Sequence, residues 1–121
     1  MAHDQIEDLR ILKLAEDIAD KIWNISIKWH FFAKDTVGKQ IVRAADSIGA
    51  NISEGYGRHH PKDIIRFLFF SRGSLQETKY WIKRALSRNL IQEIEFNELM
   101  DGLNNLAPQL NSFISSKRKR G

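Results

Sequence analysis

The sequence predicts an all-α protein, an antiparallel up-down-up-down four-helix bundle. Three observations support this fold: apolar residues recur at spacings of three and four along four segments, no segment alternates as a half-buried strand would, and the connections are short. The chain has 121 residues, of which 42% are hydrophobic, which suits one domain with one core. We therefore predict a single bundle over residues 1–116.

The first two helices are predicted over residues 5–29 and 37–56. The second helix carries many small residues, which let helix backbones approach closely. It should end at Gly55 and Gly57, because glycine readily adopts the left-handed conformation at a helix C-terminus. Residues 30–38 break the apolar period and are predicted as a connecting loop. The apolar face of the first helix consists of Ile11, Leu14, Ile18, Ile22, Ile25 and Trp29.

The third and fourth helices are predicted over residues 61–89 and 92–116. Pro108 should kink or split the fourth helix, and residues 117–121 are predicted as a disordered basic tail. The third helix has a heptad-like seam formed by Ile64, Leu68, Ser71, Leu75, Thr78, Ile82 and Ala85. The fourth has an apolar stripe formed by Phe96, Leu99, Leu103, Leu106, Leu110 and Phe113.

The charges are sorted along the chain. The net charge is +4, and the last basic residues supply all of it, so the bundle itself is neutral. Residues 36–91 hold ten Lys or Arg against four Asp or Glu, whereas residues 92–116 hold four acids and no base. The N-terminus is acidic and lacks an apolar signal core, and no apolar run is long enough to span a membrane. A cytoplasmic location and no membrane partner are therefore expected.

The residues that carry most enzyme and metal chemistry do not converge in this sequence. There is no cysteine, which excludes disulfides, thiolate zinc sites and cysteine nucleophiles. His59 and His60 are adjacent and point in different directions, so no metal site and no cofactor are expected. The run from Gly55 to Arg58 lacks the Gly-Lys-Ser/Thr ending of a phosphate loop and follows a helix. We expect no catalytic residues and no enzyme activity.

Four aromatic residues of the third helix point away from its seam and lie among basic residues: Phe69, Phe70, Tyr80 and Trp81. Such residues could pack against another subunit or stack on nucleic-acid bases. Packing is the favoured interpretation, so we predict an oligomer interface there. The tail Lys117, Arg118, Lys119 and Arg120 is either a weak polyanion-binding segment or a solubilising end.

Three segments of the sequence resemble a known family. They are Asp8-Leu9-Arg10, the run Gln40-Ile-Val-Arg-Ala-Ala-Asp-Ser-Ile-Gly-Ala-Asn-Ile-Ser-Glu-Gly-Tyr-Gly-Arg58, and the run from Phe67-Leu68 to Gly73-Ser-Leu-Gln-Glu77. Over residues 8–90 the chain resembles the bacterial four-helix-bundle proteins named after ribosomal-RNA intervening sequences, which are often labelled ribosomal proteins. That family is similar in turn to the accessory variability protein of diversity-generating retroelements, a pentameric basic barrel that binds nucleic acid.

The resemblance implies a homopentamer and a polar surface or internal polar network at Arg43, Asn51, Glu54, Arg58 and Arg66. Together with the basic residues Lys62, Lys117, Arg118, Lys119 and Arg120, these positions form the predicted interaction surface. We therefore expect a non-enzymatic, homo-oligomeric helical module that binds RNA or DNA weakly, since its body is less basic than the retroelement protein. The alternative is a protein-protein adaptor or assembly module with no nucleic-acid role.

Overall fold

The structure is a computed structural model that describes the chain over residues 2–120 and its side chains over residues 10–119. Within those limits it contains helices and no strand. The elements are α1 (Ala2–Ser26), α2 (Phe31–Ala33), a π-helical turn (Lys34–Gly38), α3 (Lys39–Tyr56), α4 (Pro61–Ser87) and α5 (Glu93–Arg120). No helix in this part of the chain is both long and apolar enough to cross a membrane.

The four long helices form a closed square. Helix α1 packs against α3 and α5, and α4 packs against the same two helices. Because the connections are short, consecutive long helices run antiparallel, and the predicted up-down-up-down bundle is confirmed. The centre is filled by the predicted apolar stripes, and its largest fully buried apolar side chains are Ile22, Ile41, Ile48, Ile52, Leu68, Leu75, Ile82, Leu103, Leu106 and Leu110.

The predicted loop over residues 30–38 is wrong, because most of this segment is helical. His30 begins it as an N-cap, with its Nδ1 accepting a hydrogen bond from the backbone N–H of Ala33 at 3.4 Å. Ala33 and Val37 are 4% and 5% exposed, respectively. Their spacing of four places both on the buried side of one helical turn. The chain therefore enters α3 through a π-helical turn without a break.

Gly55 and Gly57 do not take the left-handed role predicted for them. Helix α3 does end at Tyr56, but Gly57 has a right-handed φ of −76°. Gly55 instead permits close packing: a Cβ there would lie 3.1 Å from the Cβ of Phe67 on α4. Within residues 2–120, the left-handed residue is Asn89, with φ 61°. It ends α4 in a Schellman motif, in which the Leu90 N–H donates to the Ala85 carbonyl at 2.9 Å.

The C-terminal segment also differs from its prediction. Helix α5 continues through Arg120 instead of ending at residue 116, and Gly121 lies outside the described residues. Lys117 is 9% exposed, and its Nζ lies 4.9 Å from the centre of the Phe113 ring. The alkyl chain of this lysine is thus part of the packed helix and not of a disordered tail. Pro108 lies at an exposed position inside α5 and does not split it.

Candidate nucleic-acid interface

One end of the bundle brings together basic residues that are far apart in the sequence. Helix α3 ends at Tyr56 and α4 begins at Pro61, so both termini lie at this end. Helix α5 runs antiparallel to α4, so its basic last turns lie beside the first half of α4. Antiparallel packing therefore unites the basic middle segment with the basic C-terminus. This clustering depends on how the helices pack and is not visible in the linear sequence.

Two arginines flank the ring of Phe67 at the junction of α3 and α4. The guanidinium carbon of Arg58 lies 4.8 Å from the ring centre, and that of Arg66 lies 5.4 Å from it. Each arginine also has an acidic neighbour three or four residues before it in the sequence. Arg58 Nη2 is 2.9 Å from Glu54 Oε2, and Arg66 Nη2 is 3.5 Å from Asp63 Oδ1. Exposed pairs of this kind contribute little stability, so both cations remain available to an external anion.

A second pair of arginines flanks Phe69 between α4 and α5. The guanidinium carbons of Arg72 and Arg118 lie 4.5 Å and 5.0 Å from the ring centre. Arg72 also donates a hydrogen bond to Asn111 Oδ1 on α5 at 3.0 Å. We call Arg58, Arg66, Arg72 and Arg118 the arginine cluster. The rings of Phe67 and Phe69, both on α4, each contact two guanidinium groups near the surface.

The other predicted surface residues are more scattered. Arg43 is exposed but lies fifteen residues before Arg58 on the chain, which is about 22 Å along a helix. Asn51 donates to the Ser47 carbonyl at 2.8 Å, which is a bond within its own helix. Lys62 and Lys119 are exposed, and the side chain of Arg120 lies outside the described residues. Glu54 lies at the cluster as the partner of Arg58.

Phe67 and Arg72 were not among the residues of the predicted interaction surface. Arg72 follows Phe69 by three residues, and side chains at that spacing are neighbours on a helix surface. That spacing was an available signal. No spacing in the sequence predicts the contact of Arg58 with Phe67, because that contact depends on the close approach of α3 and α4 at Gly55.

The four residues of the predicted oligomer interface have two different environments. Phe70 and Tyr80 are 51% and 55% exposed. Phe69 and Trp81 are half-buried and pack against the core. The Nε1 of Trp81 donates to Glu77 Oε2 at 3.1 Å. Phe70 and Tyr80 are therefore the two that present most of their surface outward.

Two histidines, His30 and His60, have local structural roles at helix starts. His60 caps α4, with its Nδ1 accepting from the Lys62 N–H at 3.3 Å, as His30 caps α2. No group of three metal-binding side chains converges among the residues that the structure describes.

Comparison with known proteins gives the same fold and a family. The chain is similar to a protein of unknown function from the S23 ribosomal protein family of Bacteroides thetaiotaomicron, whose crystal structure matches with a TM-score of 0.80. The two share 24% sequence identity over 90% of this chain and 98% of the other. No curated protein matches the sequence. A family model described as 23S rRNA-intervening sequence protein matches residues 7–112, and the chain belongs to that family.

Proposed function

We propose that this chain is a non-enzymatic, homo-oligomeric, cytoplasmic helical module that binds RNA or DNA weakly through the arginine cluster. The observation that carries the proposal is the placement of exposed guanidinium groups of Arg58, Arg66 and Arg118 beside aromatic rings at one end of the bundle. A planar guanidinium can form two parallel hydrogen bonds to a phosphate. Contact with a ring restricts its motion, so less side-chain entropy is lost on binding.

The binding should be weak and not sequence-specific. The acidic partners Glu54 and Asp63 offset part of the local positive charge. Phosphate contacts alone carry no sequence information.

We expect dissociation constants of about 10⁻⁴ to 10⁻⁶ M near physiological salt. Fluorescence anisotropy with labelled single-stranded RNA and DNA, repeated between about 50 and 200 mM salt, would measure them. Affinity that falls steeply with salt is the expected result. An affinity that does not respond to salt, or no binding at 50 mM, would contradict a phosphate-binding role.

The proposed assembly is a homopentamer, as the family resemblance implies. Phe70 and Tyr80, each more than half exposed on α4, support self-association, because exposed aromatic side chains often mark protein interfaces. Light scattering on a sizing column is expected to give a mass near five times 14.1 kDa. A monomeric mass would contradict self-association, and another multiple would contradict the pentamer alone.

A protein-protein adaptor is the second candidate function, and an apolar surface at the other end of the bundle supports it. Trp23, Ile27, Phe31 and Phe32 are 53%, 51%, 74% and 73% exposed. A groove of about 220 Å³ beside Val42 continues this surface. A partner bound mainly by apolar contacts should be retained at high salt, whereas nucleic acid should dissociate.

A further inference from the structure

The outward side of α4 contains a glycine that the bundle itself does not require. Gly73 lies in the middle of this long helix, and a Cβ placed there would have no atom within 4 Å. A glycine inside a helix costs about 1 kcal/mol relative to alanine. Phe70 lies one turn before it and Tyr80 two turns after it, and both are exposed. Gly73 therefore leaves a flat site between aromatic side chains where another backbone can approach.

The charge on this side of α4 is partly uncompensated. Arg84 is half-buried and forms no ion pair with any residue that the structure describes. Glu77 lies on the same side, but its carboxylate accepts a hydrogen bond from Trp81. We call Phe70, Gly73, Tyr80 and Arg84 the outer face of α4.

Another side of the bundle carries a groove, which lies between α1 and α3. Its volume is about 540 Å³. Small residues form its floor, and Gly49 there brings the helices together, since a Cβ would lie 3.5 Å from Leu12 Cδ1. It runs over nine residues of each helix, or about 12 Å. The small residues of the groove are Ala15, Ala19, Ala45, Gly49, Ala50 and Ser53.

The groove is acidic and lacks cations to match its acids. Glu16, Asp20 and Asp46 line it, and none of them forms an ion pair within the described residues. Partial burial, and then the charge of Asp20, raise the pKa of Asp46. Lys13 also lines the groove, but its ammonium is 3.1 Å from Asp17. A cation from outside would relieve the repulsion between Asp20 and Asp46.

The groove and the outer face of α4 overlap in position along the bundle axis. Helix α5 links them: Arg72 of α4 bonds Asn111 of α5, and Lys79 of α4 bonds Asn104. On its other side, α5 approaches Ile18 of α1 at Gly102, and Lys21 of α1 pairs with Glu98 at 2.9 Å. Through α5, residues 73–84 of α4 are therefore level with about residues 10–21 of α1. Directly between α3 and α4, the Ser71 hydroxyl donates to the Ile48 carbonyl at 2.8 Å, so residue 71 of α4 is level with the α3 side of the groove.

We propose that the outer face of α4 of one copy docks into the α1–α3 groove of the next copy, with Arg84 beside Asp20 and Asp46. Gly73 and Tyr80 then face the small residues of the floor. Because the two surfaces are different and overlap along the bundle axis, rotating one copy about an axis parallel to the helices brings them together without a shift along that axis. Repeated contacts of this kind can close into a ring. This inference rests on the self-association part of the proposed function and names the two surfaces involved.

Cysteine cross-linking tests the contact directly, because the chain has no cysteine of its own. Gly73 and Ala50 are both exposed, so substitution of each should preserve the fold. Under mild oxidation the double variant G73C/A50C is expected to form a ladder of covalent oligomers, and each single variant should stay monomeric on a denaturing gel. The double variant G73C/N105C is the control, since Asn105 is exposed on α5 outside the groove. No ladder from G73C/A50C, or a dimer from G73C alone, would overturn the proposal.

Charge reversal tests the predicted ion pair without a cross-link. D46K and R84E should each lower the mass measured by light scattering. The combined variant D46K/R84E should restore the wild-type mass, because every interface in a ring then regains opposite charges. Single variants that keep the wild-type mass, or a combined variant that stays dissociated, would contradict the docking. If the charge variants fail in this way but the wild type is oligomeric, only the proposed contact is contradicted and self-association still holds. If the wild type is monomeric, both the contact and self-association are contradicted.

Discussion

Glutamine substitution at Arg58, Arg66 and Arg118 is expected to weaken the binding of single-stranded RNA about a hundredfold at 0.1 M salt. For single strands, each neutralised phosphate changes the logarithm of the binding constant by about 0.7 per tenfold change in salt. Loss of three phosphate contacts should therefore remove about two decades of affinity and reduce the salt slope by about two. Anisotropy titration at several salt concentrations measures both quantities. All three side chains are exposed, so circular dichroism should be unchanged.

The matched control removes three charges from the other end of the bundle. Lys28, Lys34 and Arg88 are exposed there, and their replacement by glutamine lowers the net charge equally. An equal loss of affinity in this control would show that net charge matters and the arginine cluster does not. Lysine in place of the three arginines should retain the salt slope, because it retains the charge. A loss of affinity with an unchanged slope would then indicate stacking and bidentate bonds that lysine cannot make.

The substitution L75A is expected to lower the free energy of unfolding by about 3 kcal/mol. Leu75 is 0% exposed and lies on the core side of α4. Its truncation loses apolar burial and leaves a cavity that the surrounding helices can only partly fill. Urea unfolding followed by circular dichroism measures the change. Wild type and variant must be compared at one protein concentration, because self-association would add to the apparent stability.

The control for this prediction is I94A. Ile94 is 72% exposed near the start of α5, so its truncation should change the free energy of unfolding by no more than about 0.5 kcal/mol. A small effect of L75A, similar to that of I94A, would contradict the placement of Leu75 in the core.

Helical periodicity was sufficient to predict the bundle. Leu75, Ile82 and Leu103 lie on apolar stripes in the sequence and are all fully buried in the structure. This prediction succeeds because apolar residues at spacings of three and four form one face of a helix, and that face is most stable when it is buried against other helices. Periodicity was less informative between residues 30 and 38, where the π-helical turn changes the number of residues per turn. The buried pair Ala33 and Val37 was therefore not recognised as helical.

The candidate site was only partly visible in the sequence. Arg58, Arg66 and Arg118 were predicted to belong to an interaction surface, although nothing indicated that they would gather around two rings. Arg118 reaches Phe69 from 49 positions away in the chain. Whether a long side chain covers a given ring depends on the register between two helices, and register is set by packing in the core.

The sequence by itself determined the four apolar stripes, the number of long helices and the concentration of basic residues in the middle and at the C-terminus. Local spacing and composition suffice for these features, because each depends on residues close together in the chain. The tertiary structure decided that α5 continues through the basic C-terminus, that Lys117 is buried, and that Phe69 is flanked by arginines of two helices. It also decided that the outer face of α4 and the α1–α3 groove overlap along the bundle axis. Each of these depends on the relative positions of separate helices, which the pattern within any one helix does not contain.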